Sequence, residues 1–276
     1  MGPVSTRYAV IGDVGGHAGA LRAELARLGV PDEGRGPIPD GLVVVQVGDL
    51  VHRGPESEEV VRQVDGYLRR QPGRWVQLIG NHEAQYVRPA TFQWPTPLDP
   101  AAADRVRAWW REGLMVPAAV LAPDVLVTHA GVTAPFWRAV LGAPRTADEI
   151  AEALAALARA DDPALFRAGA MLQGREPDPR AGPLWAAAAS ELVPSWAGTP
   201  LPVDQVHGHS SAYDWGSGSW RLAPELVPHA HLDADARHVT IELAGGRIVG
   251  VDPDHGATAH PHWRAWERTA PGPDTG

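Results

Sequence analysis

The chain has no cysteine, so disulfides, thiolate nucleophiles and zinc-finger sites are excluded by composition. It has no lysine either: all 24 basic side chains other than histidine are arginine. With abundant Ala, Gly and Pro, this reads first as nucleotide-composition bias, before any functional meaning. Positive charge is in deficit, 24 basic against 33 acidic groups for a net charge of -9. That balance repels a phosphate backbone, so DNA is not expected as a partner. No stretch approaches the roughly 18 uninterrupted apolar residues of a membrane span. The opening "MGPVSTRYAVIGD" has a single Arg and no small-residue cleavage site, so the expectation is a cytoplasmic chain that makes no use of membranes.

What is present is enough for a core. A chain of 276 residues with 44% hydrophobic content suits one large domain or two small ones. "RYAVIGD" (7–13) reads as a strand, followed by "ALRAELARLG" with Leu21, Leu25 and Leu28 at helical spacing and Gly29 as a stop. "GLVVVQVGD" (41–49) is a continuous apolar run, as in a strand buried on both faces, and the next segment stripes Val60, Val61, Val64 and Leu68 along one helix face. Further strands are expected in "RWVQLIGNH" (74–82), "PDVLVTHAG" (123–131) and "VDQVHGH" (203–209). "HVTIELAGGRIVGVDP" (238–253) reads as a hairpin around Gly245 and Gly246.

This alternation is α/β, and such sheets hold ligands outside the carboxyl ends of their strands. One domain over 1–253 is expected, with 133–200 a helical cap or insertion. The amphipathic stretch 147–160, with Ile150, Leu154 and Leu157, should pack into the core. Residues 254–276, rich in Pro, Gly and His, read as a loosely held tail whose His255, His260 and His262 could bind stray metal but are expected to do nothing specific.

Five expected strand ends carry "GD" (12–13), "GDLVHRG" (48–54), "GNHE" (80–83), "THAG" (128–131) and "HGHS" (207–210). Carboxylate, amide oxygen and imidazole together suit Mn, Fe, Zn or Mg, and two such ions activate water for in-line displacement at phosphorus. Singly each block has a plain reading. Asp13 could cap a helix, Asn81 and His82 could be turn residues, and Arg53 could pair with Glu56 or Glu58 at little energetic gain. In this order, with a plausible closing "HLDAD" (231–235), they resemble the calcineurin-like metallophosphoesterases, within them the bacterial phosphoprotein phosphatase branch.

The resemblance implies a sandwich of two mixed β-sheets flanked by α-helices. It implies hydrolysis of a phosphate ester by metal-activated water, with one or two divalent ions per chain, manganese favoured. Asp49 would bridge the ions, with Asn81, His129 and His209 completing one site and Asp13 plus a histidine the other. His82 matches the residue that protonates the leaving oxygen, and Arg53 the one that grips phosphate through its planar fork. Substrates in such proteins include phosphorylated small molecules, nucleotides and phosphoproteins.

Three positions depart from the family pattern. Gly15 stands where GDxHG has its metal-binding histidine. His52 replaces the aspartate that orients the catalytic histidine. Ala187, two residues after Trp185, replaces a second phosphate-gripping arginine. Three accounts stay open. His52 turns to the depleted ion while His17 or His207 takes over the orienting role; or a single ion remains; or a metal- or phosphate-binding protein has kept the fold and lost turnover. Of eleven tryptophans, eight lie between 94 and 220; most should pack the cap, and some could stack on an aromatic substrate.

Overall fold

The computed structural model describes residues 5–121, 123–255 and 262–270. The chain opens as the apolar runs dictate: β1 (Thr6–Ile11), helix α1 (Ala18–Arg27) and a single turn α2 (Pro31–Gly34), then β2 (Leu42–Gln46) and α3 (Ser57–Arg70). β3 (Trp75–Leu78), α4 (Asn81–Val87), α5 (Pro100–Arg111) and β4 (Met115–Val116) follow. β5 (Ala118–Leu121) and β6 (Val125–Thr128) lead into α6 (Ala134–Ala139) and α7 (Ala147–Arg159). Beyond a stretch of short turns come β7 (Asp204–His207), β8 (Tyr213–Asp214), β9 (Ser219–Trp220) and β10 (Ala230–Asp233). β11 (His238–Leu243), β12 (Gly246–Gly250) and β13 (Trp266–Ala270) close the chain.

These strands build two large mixed sheets, β13-β1-β2-β3-β4 and β10-β11-β12-β7-β6-β5, beside a small β8-β9 ribbon. β1, β2, β3 and β4 are mutually parallel, as are β6, β7 and β12. Strand alternation decides the layering. Val10, Val45, Val47 and Leu78 face Val125, Val127, Val206 and Val249 across the space between the sheets. The opposite face of the first sheet, with Ala9, Ile11 and Val44, meets Leu21, Leu25, Val60, Val61 and Val64. That double burial is why β2 reads as an unbroken apolar run. The second sheet's outer face, Val239, Ile241 and Ile248, is covered by Leu192, Val193 and Trp196 from the region expected to form a cap.

α7 starts on a capping box in which the Thr146 hydroxyl accepts from the Glu149 N–H. Its Ile150 and Leu154 are buried, each contributing about 1.5–3 kcal/mol. Among the described residues no helix is long and apolar enough to cross a membrane.

Of the expected loose tail 254–276, the described residues 262–270 are tied to the sheet. Trp266–Ala270 pair antiparallel with β1, Thr6 opposite Ala270, and His255, Trp263 and Ala265 are buried. The physical reason is that β1 would otherwise be an exposed sheet edge, and β13 covers it. His262 is exposed, and His260 lies outside the described residues.

Candidate active site

Loops leaving β1, β2, β3, β6 and β7 meet at one edge of the sandwich. Buried amides fix two of these loops. Gln46 donates through Nε2 to the carbonyls of Gly12 and Gly48 and accepts the Gly48 N–H. The Asp49 carbonyl accepts from Val14 and Gly15. Gly48 has φ +104°, and a Cβ there would lie 2.5 Å from the Gly80 nitrogen and 3.0 Å from His129 Nδ1, so only glycine lets these loops approach. Asp49, His52, Arg53 and His209 also have positive φ, a left-handed strain costing about 1–2 kcal/mol per residue. Such strain collects at functional sites.

The metal-type donors expected from the sequence converge. Ligand atoms of Asp49, His129 and His209 lie within 4.8 Å of one another, all buried. His129 Nε2 is 3.0 Å from Asn81 Oδ1, 3.2 Å from His209 Nδ1 and 3.4 Å from Asp49 Oδ1. His209 Nδ1 is 2.9 Å from Asn81 Oδ1. His129 Nδ1 sits 2.9 Å from the Val47 carbonyl, so its proton is there and Nε2 turns a lone pair inward. Lone pairs therefore face lone pairs, and the one proton His209 can offer satisfies at most one contact. A divalent cation satisfies the whole set, so the residues present fit the metal that this chemistry calls for. Asp13 stands beside the cluster, its Oδ1 accepting the His209 N–H at 2.9 Å.

His82 is placed by its helix. α4 begins at Asn81, the His82 N–H donates to Asp49 Oδ1 at 3.0 Å, and its ring Nε2 is 3.2 Å from Asp49 Oδ2. Its Nδ1 is held 2.9 Å from the Val51 carbonyl. That backbone oxygen occupies the orienting position for which His17 and His207 were candidates. His17 instead packs against His255, rings 4.7 Å apart, and His207 Nδ1 bonds the Gly208 carbonyl. His52 is turned away from the Asp13 side: its Nε2 is 2.7 Å from the Tyr86 hydroxyl and its ring stacks on Trp94 at 4.6 Å. Arg53 is exposed, 5.9 Å from the Trp94 ring centroid. Ala187 is buried, its N–H donated to Glu191.

Burial governs the charges. It pushes the Asp49 carboxyl well above its usual range, with the Glu83 carboxylate adding to the effect, and does the same to Asp13, helped by Asp252 and Asp49. Burial also lowers His129 to about 3 and drives His82 and His209 well below the ordinary imidazole value. His52 falls to about 4 through burial and the neighbouring Arg53. Carboxylates that resist ionising beside imidazoles that resist protonating describe a site withdrawn from water, where burial penalises the charged form of either group.

Sequence reasoning passed over Glu83. Its buried carboxylate accepts the N–H groups of Asp49, Leu50 and Gly80, tying the two loops that hold the donors. The signal was a Glu three residues after the glycine that opens α4. Phe92 was also missed as part of the site. With Trp94, Met171, Leu172 and Trp185 it walls a cleft of about 280 Å³ opening on Asp49, Asn81, His82 and His209. A hollow of about 700 Å³ adjoins it, sharing Arg53 and Trp94.

The sequence model of the calcineurin-like phosphoesterases matches residues 6–236. No curated protein matches. Among solved structures, the cold-active protein-tyrosine phosphatase of a psychrophilic Shewanella species aligns over 95% of this chain and 75% of its own, at 16% identity and TM-score 0.55. A metallophosphoesterase from Sphaerobacter thermophilus aligns over 51% of this chain and 58% of its own, at 20% identity and TM-score 0.33. A serine/threonine phosphatase from Saccharomyces cerevisiae aligns over 46% of this chain, at 19% identity and TM-score 0.36. The chain spans only 38% of that yeast protein's length.

Proposed function

The chain belongs to the calcineurin-like phosphoesterases, hydrolases acting on phosphoric esters, and from that premise we propose that it cleaves a phosphate monoester at Asp49, Asn81, His129 and His209 with manganese. The observation that carries this reading is the convergence of those buried donors, lone pair against lone pair. A divalent cation held there supplies Lewis-acid polarisation of a phosphoryl oxygen and a lowered pKa for water.

The chain's own groups do the rest. Asp49 faces His129 through Oδ1 and His82 through Oδ2, so its two oxygens are turned to different neighbours and could each take part in holding a cation. His82 holds its Nδ1 proton on Val51 and presents Nε2 to the cleft, where a proton first taken up on Nε2, giving the imidazolium, would pass to the leaving oxygen and restore the neutral ring. Arg53, lining both hollows, offers a planar fork to the phosphoryl oxygens. Phe92, Trp94 and Trp185 give the cleft flat apolar walls, which favour an aromatic leaving group, from a phosphorylated small molecule, a nucleotide or a phosphoprotein. The Shewanella neighbour's name as a tyrosine phosphatase is compatible with that preference.

The test is turnover of p-nitrophenyl phosphate by the full chain with added Mn²⁺, with alkyl phosphates as competitors. Turnover should be lost in Asp49→Asn at unchanged helical circular dichroism, and alkyl esters should be poorer substrates. A protein that holds metal yet turns over no aryl phosphate, diester or dinucleotide would support the rival reading, a metal- or phosphate-binding protein. The buried Ala187, where the family pattern has a second arginine, favours that rival.

A further inference from the structure

We propose that Asp252 and His255, from the segment following β12, hold a second divalent cation together with Asp13 and Asp49, in place of the imidazole that Gly15 does not carry. The inference rests on the reading of the site as a metal centre and names ligands outside the five strand-end blocks.

Topology brings them there. β12 runs parallel to β7, with Ile248 opposite Gln205 and Gly250 opposite His207, so its carboxyl end arrives at the same edge as the other loops. The Val251 N–H donates to the His207 carbonyl at 2.8 Å. On the other side, a Cβ on Gly12 would lie 1.9 Å from the Val251 carbonyl oxygen. The residue before Asp13 must therefore be glycine for the ends of β1 and β12 to touch.

The groups enclose a cavity of about 10 Å³ lined by Asp13, Gly15, Asp49, Arg53, His82, Asp252, Asp254 and His255, room for about one particle the size of water. Asp13 is 9% exposed, and the single hydrogen bond it accepts among the described residues falls on Oδ1, which leaves Oδ2 for a ligand. Asp252 and His255 are buried as deeply, at 8% and 3% exposure. Asp252 Oδ1 accepts the Asp254 N–H. A Cβ built on Gly15 would lie 3.6 Å from His255 Cβ. The His255 side chain thus starts beside the place from which a side chain at 15 would start.

Charge argues the same way. Three buried carboxylates, Asp13, Asp49 and Asp252, and the exposed Asp254 line the cavity against the single guanidinium of Arg53, and buried like charges need a compensating cation. An oxygen-rich set with one imidazole suits Mn²⁺, Mg²⁺ or Fe²⁺ better than a thiophilic ion.

The experiment loads the full chain with Mn²⁺, desalts it and measures ions per chain by elemental analysis, with Mn²⁺ electron paramagnetic resonance reporting coupling between ions. Two coupled ions are expected in the unaltered protein, and one uncoupled ion in Asp252→Asn and in His255→Ala. Two ions retained at unchanged affinity in both variants would overturn the inference while leaving the metal centre intact, as would a single ion in the unaltered protein. No ion at all would overturn the parent reading instead. Anomalous scattering from a manganese-loaded crystal of the unaltered chain decides the matter without variants: a peak between Asp13 and Asp252 supports the inference, and a lone peak at His129 and His209 overturns it.

Discussion

His82 and Arg53 line the same cleft, and substitution should separate the different duties proposed for them. His82 is anchored by Val51 behind and faces Asp49 in front. If it handles the leaving group's proton, His82→Ala should lower turnover by about 10²–10⁴-fold while bound metal per chain stays constant. Loss of metal in that variant would make His82 a ligand and refute the role. Arg53→Lys keeps the charge and discards the fork, so kcat/KM should fall about 10–100-fold, through KM where phosphate binding is the duty. Both residues were legible because "GNHE" and "GDLVHRG" end recognisable strands. The Val51 carbonyl was not, since a backbone oxygen leaves no mark on a sequence. Asp252 and His255 did not stand out for a different reason: they lie about 240 residues from Asp13 along the chain, Asp252 at the end of an expected hairpin and His255 in a Pro- and His-rich stretch with no periodicity to place it.

Among the elements, α4 and the loop after β2 depend on one side chain. Glu83 accepts three backbone N–H groups from positions 49, 50 and 80. Truncation to Ala strands those donors in a buried setting, at a cost of at least about 2 kcal/mol. Urea unfolding of Glu83→Ala should show that loss together with weakened metal binding, because Asp49 loses its support. Thr146→Ala on α7, remote from the donors, should cost about 1 kcal/mol through its cap and leave turnover untouched. A drop in activity there would mean that the cap region couples to the site. β1, β2 and α3 could be read from the sequence because apolar runs and a 3.6-residue stripe are strong local signals. β13 could not. "WERTA" is five residues long and alternates only weakly, and it is a strand because β1 offers an open edge about 260 residues earlier, a tertiary cause that composition does not carry.

Across the whole molecule, the site places two opposed demands on folding when no cation is bound. The imidazoles of His82, His129, His207 and His209 have depressed folded-state values, about 3 for His129 and about 4 for His207. Their contribution is present above the unfolded value of about 6.5 and is lost as pH falls toward the folded values. The carboxyls of Asp13, Asp49 and Asp252 are raised, Asp252 to about 6. Their contribution is present below about 3.9 and is lost as pH rises through the folded values. A cation needs both sets deprotonated and removes the second penalty, so binding releases protons and strengthens as pH rises. At about 100-fold excess over its dissociation constant the ion adds about 2.7 kcal/mol, and at about 2–4 °C per kcal/mol this is roughly 5–10 °C in Tm. The gain from Mn²⁺ over a chelated sample should therefore be near that size at about pH 8 and shrink steadily toward about pH 5. A gain independent of pH would place the stabilising ion on groups that do not titrate in this range, away from the buried carboxylates and imidazoles.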